Sequence, residues 1–251
     1  MIRVGTFTPS VLLRVARRTG RLPGEVAEVP VPSSPAQFAA LADGSLDAGL
    51  TSPDNVLARP GTDVVVRAAV DRGMGLALYS RRPAERLHGA RFGVDVPTSG
   101  FAVAMYAILD GLGVTDYELL PLGSTPKRLQ ALLAGECDAT MLNAGNDLLA
   151  EDAGFTPLAA APKPYLGTVL VSITDRPELT GALTATAAAI CARELDDLVV
   201  AEAGEALGLS GPLAKRYLDR LTSPDDGLVA DGRVDPAAME TIAGLRQKYG
   251  R

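Results

Sequence analysis

The sequence predicts an α/β protein of two lobes, with a ligand cleft between them and a helical C-terminal tail. Three observations predict it. Short runs rich in Val, Ile and Leu alternate with stretches of helical period, the signature of βαβ units and mostly parallel sheets. These runs form two series, separated near Arg81-Arg82-Pro83, with too many strands for one comfortable sheet. From Glu178 onward the pattern is helical only.

The first series places strands at 2–7, 26–31, 48–51, 63–70 and 75–80, with helices at 12–19 and 35–41 between them. The second places strands at 91–96, 117–122, 138–142 and 155–159, with helices at 101–112, 126–133 and 144–153. A further strand at 167–173 follows Pro162 and Pro164. The tail divides into helices at 179–200, 201–207, 212–221 and 236–249; Pro236 suits a first helical position, where its missing N–H is harmless. The expected organisation is one lobe from 1–80 with 168–251, a second lobe from 83–163, and hinge crossings near 81–83 and 162–168.

Composition narrows the function. Hydrophobic residues make up 47% and charged residues 22% of the 251 positions, ordinary for a folded protein. The formal charge of −6 argues against nucleic acid as a partner, since a binder of nucleic acid carries a basic face. One histidine, His88, and two cysteines, Cys137 and Cys191, leave no His/Cys cluster for a metal, and no cofactor motif occurs. His88 reads as a surface helix-end residue, and the cysteines read as small buried hydrophobes. Ser124-Thr125-Pro126-Lys127 matches S-x-x-K, but the companion S-D-N and K-T-G motifs are absent, so it reads as a helix start. No apolar run is long enough to insert in a membrane, and no leader pattern precedes the first strand. The sequence as it stands is therefore expected in the cytoplasm, or outside it if an export signal was cut away.

The strand ends carry the functional signal. Thr6-Phe7-Thr8-Pro9-Ser10, Pro32-Ser33-Ser34-Pro35 and Thr51-Ser52-Pro53-Asp54-Asn55 follow strands of the first series. Pro97-Thr98-Ser99-Gly100-Phe101, Gly123-Ser124-Thr125-Pro126 and Asn143-Ala144-Gly145-Asn146 follow strands of the second. Ser, Thr, Asp and Asn in such places cap helices. The same hydroxyls and free N–H groups can face a ligand, which in open parallel sheets binds beyond the carboxyl ends of the strands. Asp54 falls in a first helical turn, where the macrodipole stabilises its charge, or it faces the cleft to hold an amine or act as a base. Asp71, with Arg67 and Arg72, is a second charged group near a strand end.

Several segments together resemble a known family: Val4-Gly5-Thr6-Phe7-Thr8-Pro9-Ser10, Leu41-Ala42-Asp43-Gly44-Ser45-Leu46-Asp47-Ala48, Leu87-His88-Gly89-Ala90-Arg91-Phe92-Gly93-Val94-Asp95, Thr98-Ser99-Gly100-Phe101 and Leu132-Leu133-Ala134-Gly135-Glu136-Cys137-Asp138-Ala139. A Leu-x-x-Gly-x-x-Asp-Ala pattern thus occurs once per series; its Gly ends a helix and its Asp-Ala opens a strand. The whole chain is similar to the type II periplasmic-binding-protein fold, in particular to the sulfonate, nitrate and thiamine-precursor group of ABC-transporter substrate-binding proteins. The resemblance implies two hinged lobes that close over a small anionic or zwitterionic molecule, with an ABC permease as partner. It implies ligand contacts at Thr6, Thr8, Ser34, Ser52, Asp54, Thr98, Ser99, Gly100 and Asn143, with Tyr165 near the return crossing. The same fold hosts cytoplasmic lyases such as the menaquinone-pathway dehydratases, and in that alternative Asp54, Ser99 and Asn143 would be the catalytic candidates.

Overall fold

A computed structural model describes residues 1–250. Strand β1 (Ile2–Thr6) pairs in parallel with β2 (Val26–Pro30), Ile2 opposite Val26, and α1 (Val11–Arg18) makes the crossover. The Ser10 hydroxyl accepts from Leu13 N–H at 3.3 Å to cap α1, and Arg17 and Arg18 suit the negative end of its dipole. Next come α2 (Ser34–Ala42), β3 (Ala48–Thr51), the short α3 (Pro53–Leu57) and β4 (Val65–Asp71). Then β5 (Ala77–Ser80), β6 (Ala90–Val94), α4 (Gly100–Gly111), β7 (Tyr117–Pro121), α5 (Thr125–Ala134), β8 (Ala139–Leu142), α6 (Asn146–Asp152) and β9 (Pro157–Ala160) build a second layer. β10 (Thr168–Ser172) and four helices follow: α7 (Pro177–Cys191), α8 (Asp196–Leu207), α9 (Pro212–Leu221) and α10 (Pro236–Tyr249).

The strands form two five-stranded sheets, in the orders β2-β1-β3-β10-β4 and β7-β6-β8-β5-β9. The two orders are equivalent. Each has three parallel strands, then one antiparallel strand that enters from the other lobe, then an edge strand. Each sheet carries helices on both faces. Leu13, Val15, Leu183, Ile190 and Leu218 pack one face of the first sheet, and Phe38 and Leu41 pack the other. Phe92, Met105 and Leu109 lie on one face of the second sheet, Leu129 and Leu132 on the other.

The first crossing lies earlier in the chain than the expected 81–83. β5, the strand expected at 75–80 as the last of the first series, pairs instead with β8, Ala77 opposite Leu142, inside the second sheet. The chain changes lobe at 72–76, where Gly73 (φ 116°), Met74 (φ 50°) and Gly75 (φ 78°) make a left-handed turn that glycine permits. Arg81-Arg82-Pro83 is the loop after β5, held by Arg82 against Asp138 at 3.2 Å. The return crossing, 161–167, lies against the first: Ala161 N–H donates to Leu76 O at 2.9 Å and Gly167 N–H to Asp71 O at 3.0 Å. A Cβ on Gly167 would sit 2.6 Å from Gly73 Cα, so the two crossings touch there only because Gly167 has no side chain.

The tail also departs from expectation twice. The helix expected over 179–200 breaks at Arg193 (φ 64°), whose guanidinium reaches Asp196 at 2.8 Å and Asp219 and Thr222 at 3.2 Å. These bonds tie the break to α9. α7 and α8 pack on α1 of the first lobe, but α10 lies against α4 and α3, and its Ala238 and Ile242 join the second lobe's core. The tail therefore spans both lobes instead of packing only on the first, because the apolar face of α10 matches α4. Among the described residues no helix is long and apolar enough to cross a membrane.

Candidate functional site

The carboxyl ends of both sheets converge on one cavity of about 140 Å³. That is close to the size of a cavity that takes a benzene ring. From the first lobe its wall receives Thr6, Thr8, Ser52 and Asn55; from the second, Ser99, Gly100, Thr125, Arg128 and Asn143; from the first crossing, Met74. The tail supplies Tyr217 and Leu221 of α9 and Leu228 beyond it.

Of the residues implied by resemblance, Thr6, Thr8, Ser52, Ser99, Gly100 and Asn143 line this cavity. Thr6 turns its hydroxyl toward β2, donating to Glu28 Oε1 at 3.1 Å. Ser99 caps α4, accepting from Ala102 N–H at 3.4 Å, and Asn143 ties its lobe to the crossing by donating to Gly73 O at 3.2 Å. Four others lie outside the wall. Ser34 is buried at the start of α2, where its N–H donates to Asp95 Oδ2 at 3.4 Å across the seam. Thr98 is exposed and offers its carbonyl to Arg246. Tyr165 is buried in the second lobe's core, as its large apolar ring demands. Asp54 is 1% exposed and is held in a two-pronged ion pair by Arg246 of α10, with Nε donating to Oδ1 at 2.7 Å and Nη2 to Oδ2. Asp54 is thus kept apart from Ser99 and Asn143 of the cavity wall, its carboxylate spent on a structural ion pair.

Arg128 is the residue that sequence reasoning missed. It sits one turn into α5 and is only 2% exposed. Its Nε donates to Thr140 Oγ1 (3.2 Å), Nη1 to Gly123 O (2.6 Å), and Nη2 to Thr125 Oγ1 (3.0 Å) and Met141 O (3.3 Å). No carboxylate among the described residues lies within ion-pair distance of it. Burial lowers its pKa to about 10, against the opposing pull of Asp95. Burial likewise raises Asp95, with Arg128 and Ser34 pulling it down. The only sequence signal was one arginine in the first turn of a helix opened by Ser124-Thr125-Pro126. Asp71 at the end of β4 also lines the cavity; burial raises it to about 6, partly offset by hydrogen bonds from Thr168 and Gly73.

No protein-family model matches the chain, and no curated protein matches it. Solved structures do. A protein of Bordetella bronchiseptica RB50 superposes with a TM-score of 0.80 at 17% identity, over 99% of this chain and 89% of that one. The alkanesulfonate-binding protein SsuA of Xanthomonas axonopodis pv. citri, bound to MOPS, gives 0.78 at 18% identity, over 99% and 91%. A Candida albicans protein described as having the generic periplasmic-binding-protein fold gives 0.74 at 15%, over 98% and 89%. This chain has the periplasmic-binding-protein fold.

In this periplasmic-binding-protein fold the two lobes meet tightly beside the cavity. Gly100, the first residue of α4, faces the first lobe so closely that a Cβ there would lie 2.7 Å from both Ser52 Oγ and Asp54 Cβ. Its backbone is ordinary helix, so Gly100→Ala leaves each lobe able to fold but wedges the seam. The expected cost to the closed arrangement is about 1–3 kcal/mol. Small-angle scattering should then show a larger radius of gyration; an unchanged radius would mean that the seam yields without opening.

Proposed function

We propose that the protein is a solute-binding protein that takes a small organic anion into the interlobe cavity and serves an ABC-type uptake system. The observation that carries this reading is the buried Arg128 guanidinium in the cavity wall, free of any carboxylate within ion-pair distance. A buried cation without an acid partner is costly, and an anionic ligand relieves that cost. The first turns of α4 and α5 reach the same wall and add the positive ends of two helix dipoles. Thr6, Thr8, Ser52, Ser99, Gly100 and Asn143 are the polar contacts proposed around the ligand, and Met74, Phe101, Tyr217 and Leu228 the apolar ones. The kinship in fold to an alkanesulfonate-binding protein supports an ABC permease as partner and an anionic headgroup.

The test is calorimetric titration with short-chain carboxylates, sulfonates and phosphonates, alongside native mass spectrometry of the purified protein. Binding of at least one series, chemically unchanged after long incubation, is the expected result. Failure of all three, with no molecule carried through purification, would sink the reading.

A further inference from the structure

We propose that the ligand is a zwitterion, with its anionic group on Arg128 and a protonated nitrogen on Asp71. This rests on the reading of the cavity as an anion-binding cleft and adds the second pole.

Among the described residues five acids are buried: Asp54, Asp71, Asp138, Asp147 and Glu202. Four of them have an arginine. Arg246 holds Asp54, Arg82 and Arg91 hold Asp138 at 3.2 and 3.3 Å, Arg220 holds Asp147, and Arg18 and Arg14 hold Glu202 at 2.7 and 3.7 Å. Asp71 has no cation within ion-pair distance. Its Oδ1 accepts from Gly73 N–H at 2.8 Å, and Thr168 bonds it from β10, so it is placed but not neutralised. Lys163 on the facing crossing acts on Asp71 only through space and spends its ammonium on Arg72 O (3.0 Å), Asp225 O (3.1 Å) and the Asp226 carboxylate.

The basic side shows the mirror image. Arg128 is the one buried arginine among the described residues, and it has no acid partner. The two buried charges without an ion-pair partner among the described residues are therefore of opposite sign, and both line the same cavity. They come from opposite sides of the closure: Asp71 from the hinge end of β4, Arg128 from α5 of the second lobe. Each uncompensated charge is expensive to bury. A molecule with one group of each sign would compensate both at once and draw the lobes together. Met74, Phe101, Tyr217 and Leu228 in the same wall suit a short apolar link between the two groups. The remaining groups acting on Asp71 are Tyr165 and Tyr217, both held neutral by burial that raises their pKa.

The test uses short ω-amino sulfonates and ω-amino carboxylates, each matched to its des-amino counterpart of equal chain length, titrated calorimetrically into the wild type and Asp71→Asn. The amino member is expected to bind about tenfold tighter or more, the worth of a charge-assisted hydrogen bond in a dry site. In Asp71→Asn, which keeps an acceptor for Gly73 N–H, that preference should vanish while des-amino binding stays. If the variant fails to fold, the wild type supplies the same readout. The amino preference should fade as pH falls through about 6, where Asp71 gains its proton; both tyrosines, raised by burial, stay neutral there, Lys163 is engaged with Asp226, and a change at Asp95, whose charge acts on Arg128, would act on both probes alike. Equal or tighter binding of the des-amino members overturns the zwitterion and leaves the anion reading standing. No binding by any member overturns both.

Discussion

Arg246→Met is expected to lower the unfolding free energy by about 3–5 kcal/mol, the cost of leaving one member of a buried pair without its partner. Asp54 is 1% exposed, and both of its oxygens are bonded by the Arg246 guanidinium, which also donates to Thr98 O at 2.8 Å. Without that guanidinium the carboxylate stays desolvated beneath α10, with the dipole of the five-residue α3 and the through-space pull of Arg59 to oppose its charge. The loss also unfastens α10 from the seam, since Arg246 joins α3 of the first lobe to the loop before α4 of the second. Lys248 and Tyr249 would still hold α10 to Asp110 at 3.0 and 2.6 Å, so the second-lobe contact should persist. Urea denaturation of Arg246→Met, Asp54→Asn and the double variant measures the effect. The double variant should recover a large part of the loss, because removing both charges removes the desolvation cost. A loss below about 1 kcal/mol in Arg246→Met would show that the pair behaves as a solvated surface bridge.

Arg128, the buried arginine of the cavity wall, should behave in the opposite way. Arg128→Met is expected to weaken binding of the anionic probes by about 10–100-fold, as loss of a hydrogen bond to a charged group implies. Stability should fall far less than in Arg246→Met. The substitution removes four hydrogen bonds, but it also removes a desolvated charge that has no acid partner, and the two effects oppose. Those four bonds spend most of the five guanidinium N–H groups on Thr140, Gly123, Thr125 and Met141, so the group is locked before a ligand arrives. Arg128→Lys should not rescue binding fully, since a lysine brings the charge but not the planar fork that bonds Thr140, Gly123, Thr125 and Met141. Calorimetry paired with thermal unfolding separates affinity from stability. Unchanged affinity in Arg128→Met would move the anion site elsewhere in the cavity.

The local elements were legible because local residues decide them. Ser10 before α1, Ser33 before α2 and Ser99 before α4 each accept an N–H of the first turn at 3.3–3.4 Å, as their positions in the sequence imply. Gly135 ends α5 at φ 76°, the left-handed cap that glycine favours. Strand ends gathered the cavity's hydroxyls and amides because parallel strands that share a sheet also share a carboxyl edge. Thr98 and Ser99 show the limit: they are neighbours, yet Ser99 lines the cavity while Thr98 faces Arg246 from outside it.

The α/β class, the two series of strands, the helix caps and the strand-end loops that make the cavity can be read from the residues alone, since all of these rest on periodicity and on contacts a few residues apart. That β5 belongs to the second sheet, that α10 reaches across to α4, and that Asp54 is spent on Arg246 while Asp71 and Arg128 have no ion-pair partner emerge only in the folded molecule. Those outcomes depend on partners far away along the chain: Arg246 and Asp54 are 192 residues apart. Nothing in the local pattern around a carboxylate records which cation the fold will bring to it. The charge of a buried group is settled by whichever side chain reaches it in space, and among the described residues no cationic side chain comes within ion-pair distance of Asp71.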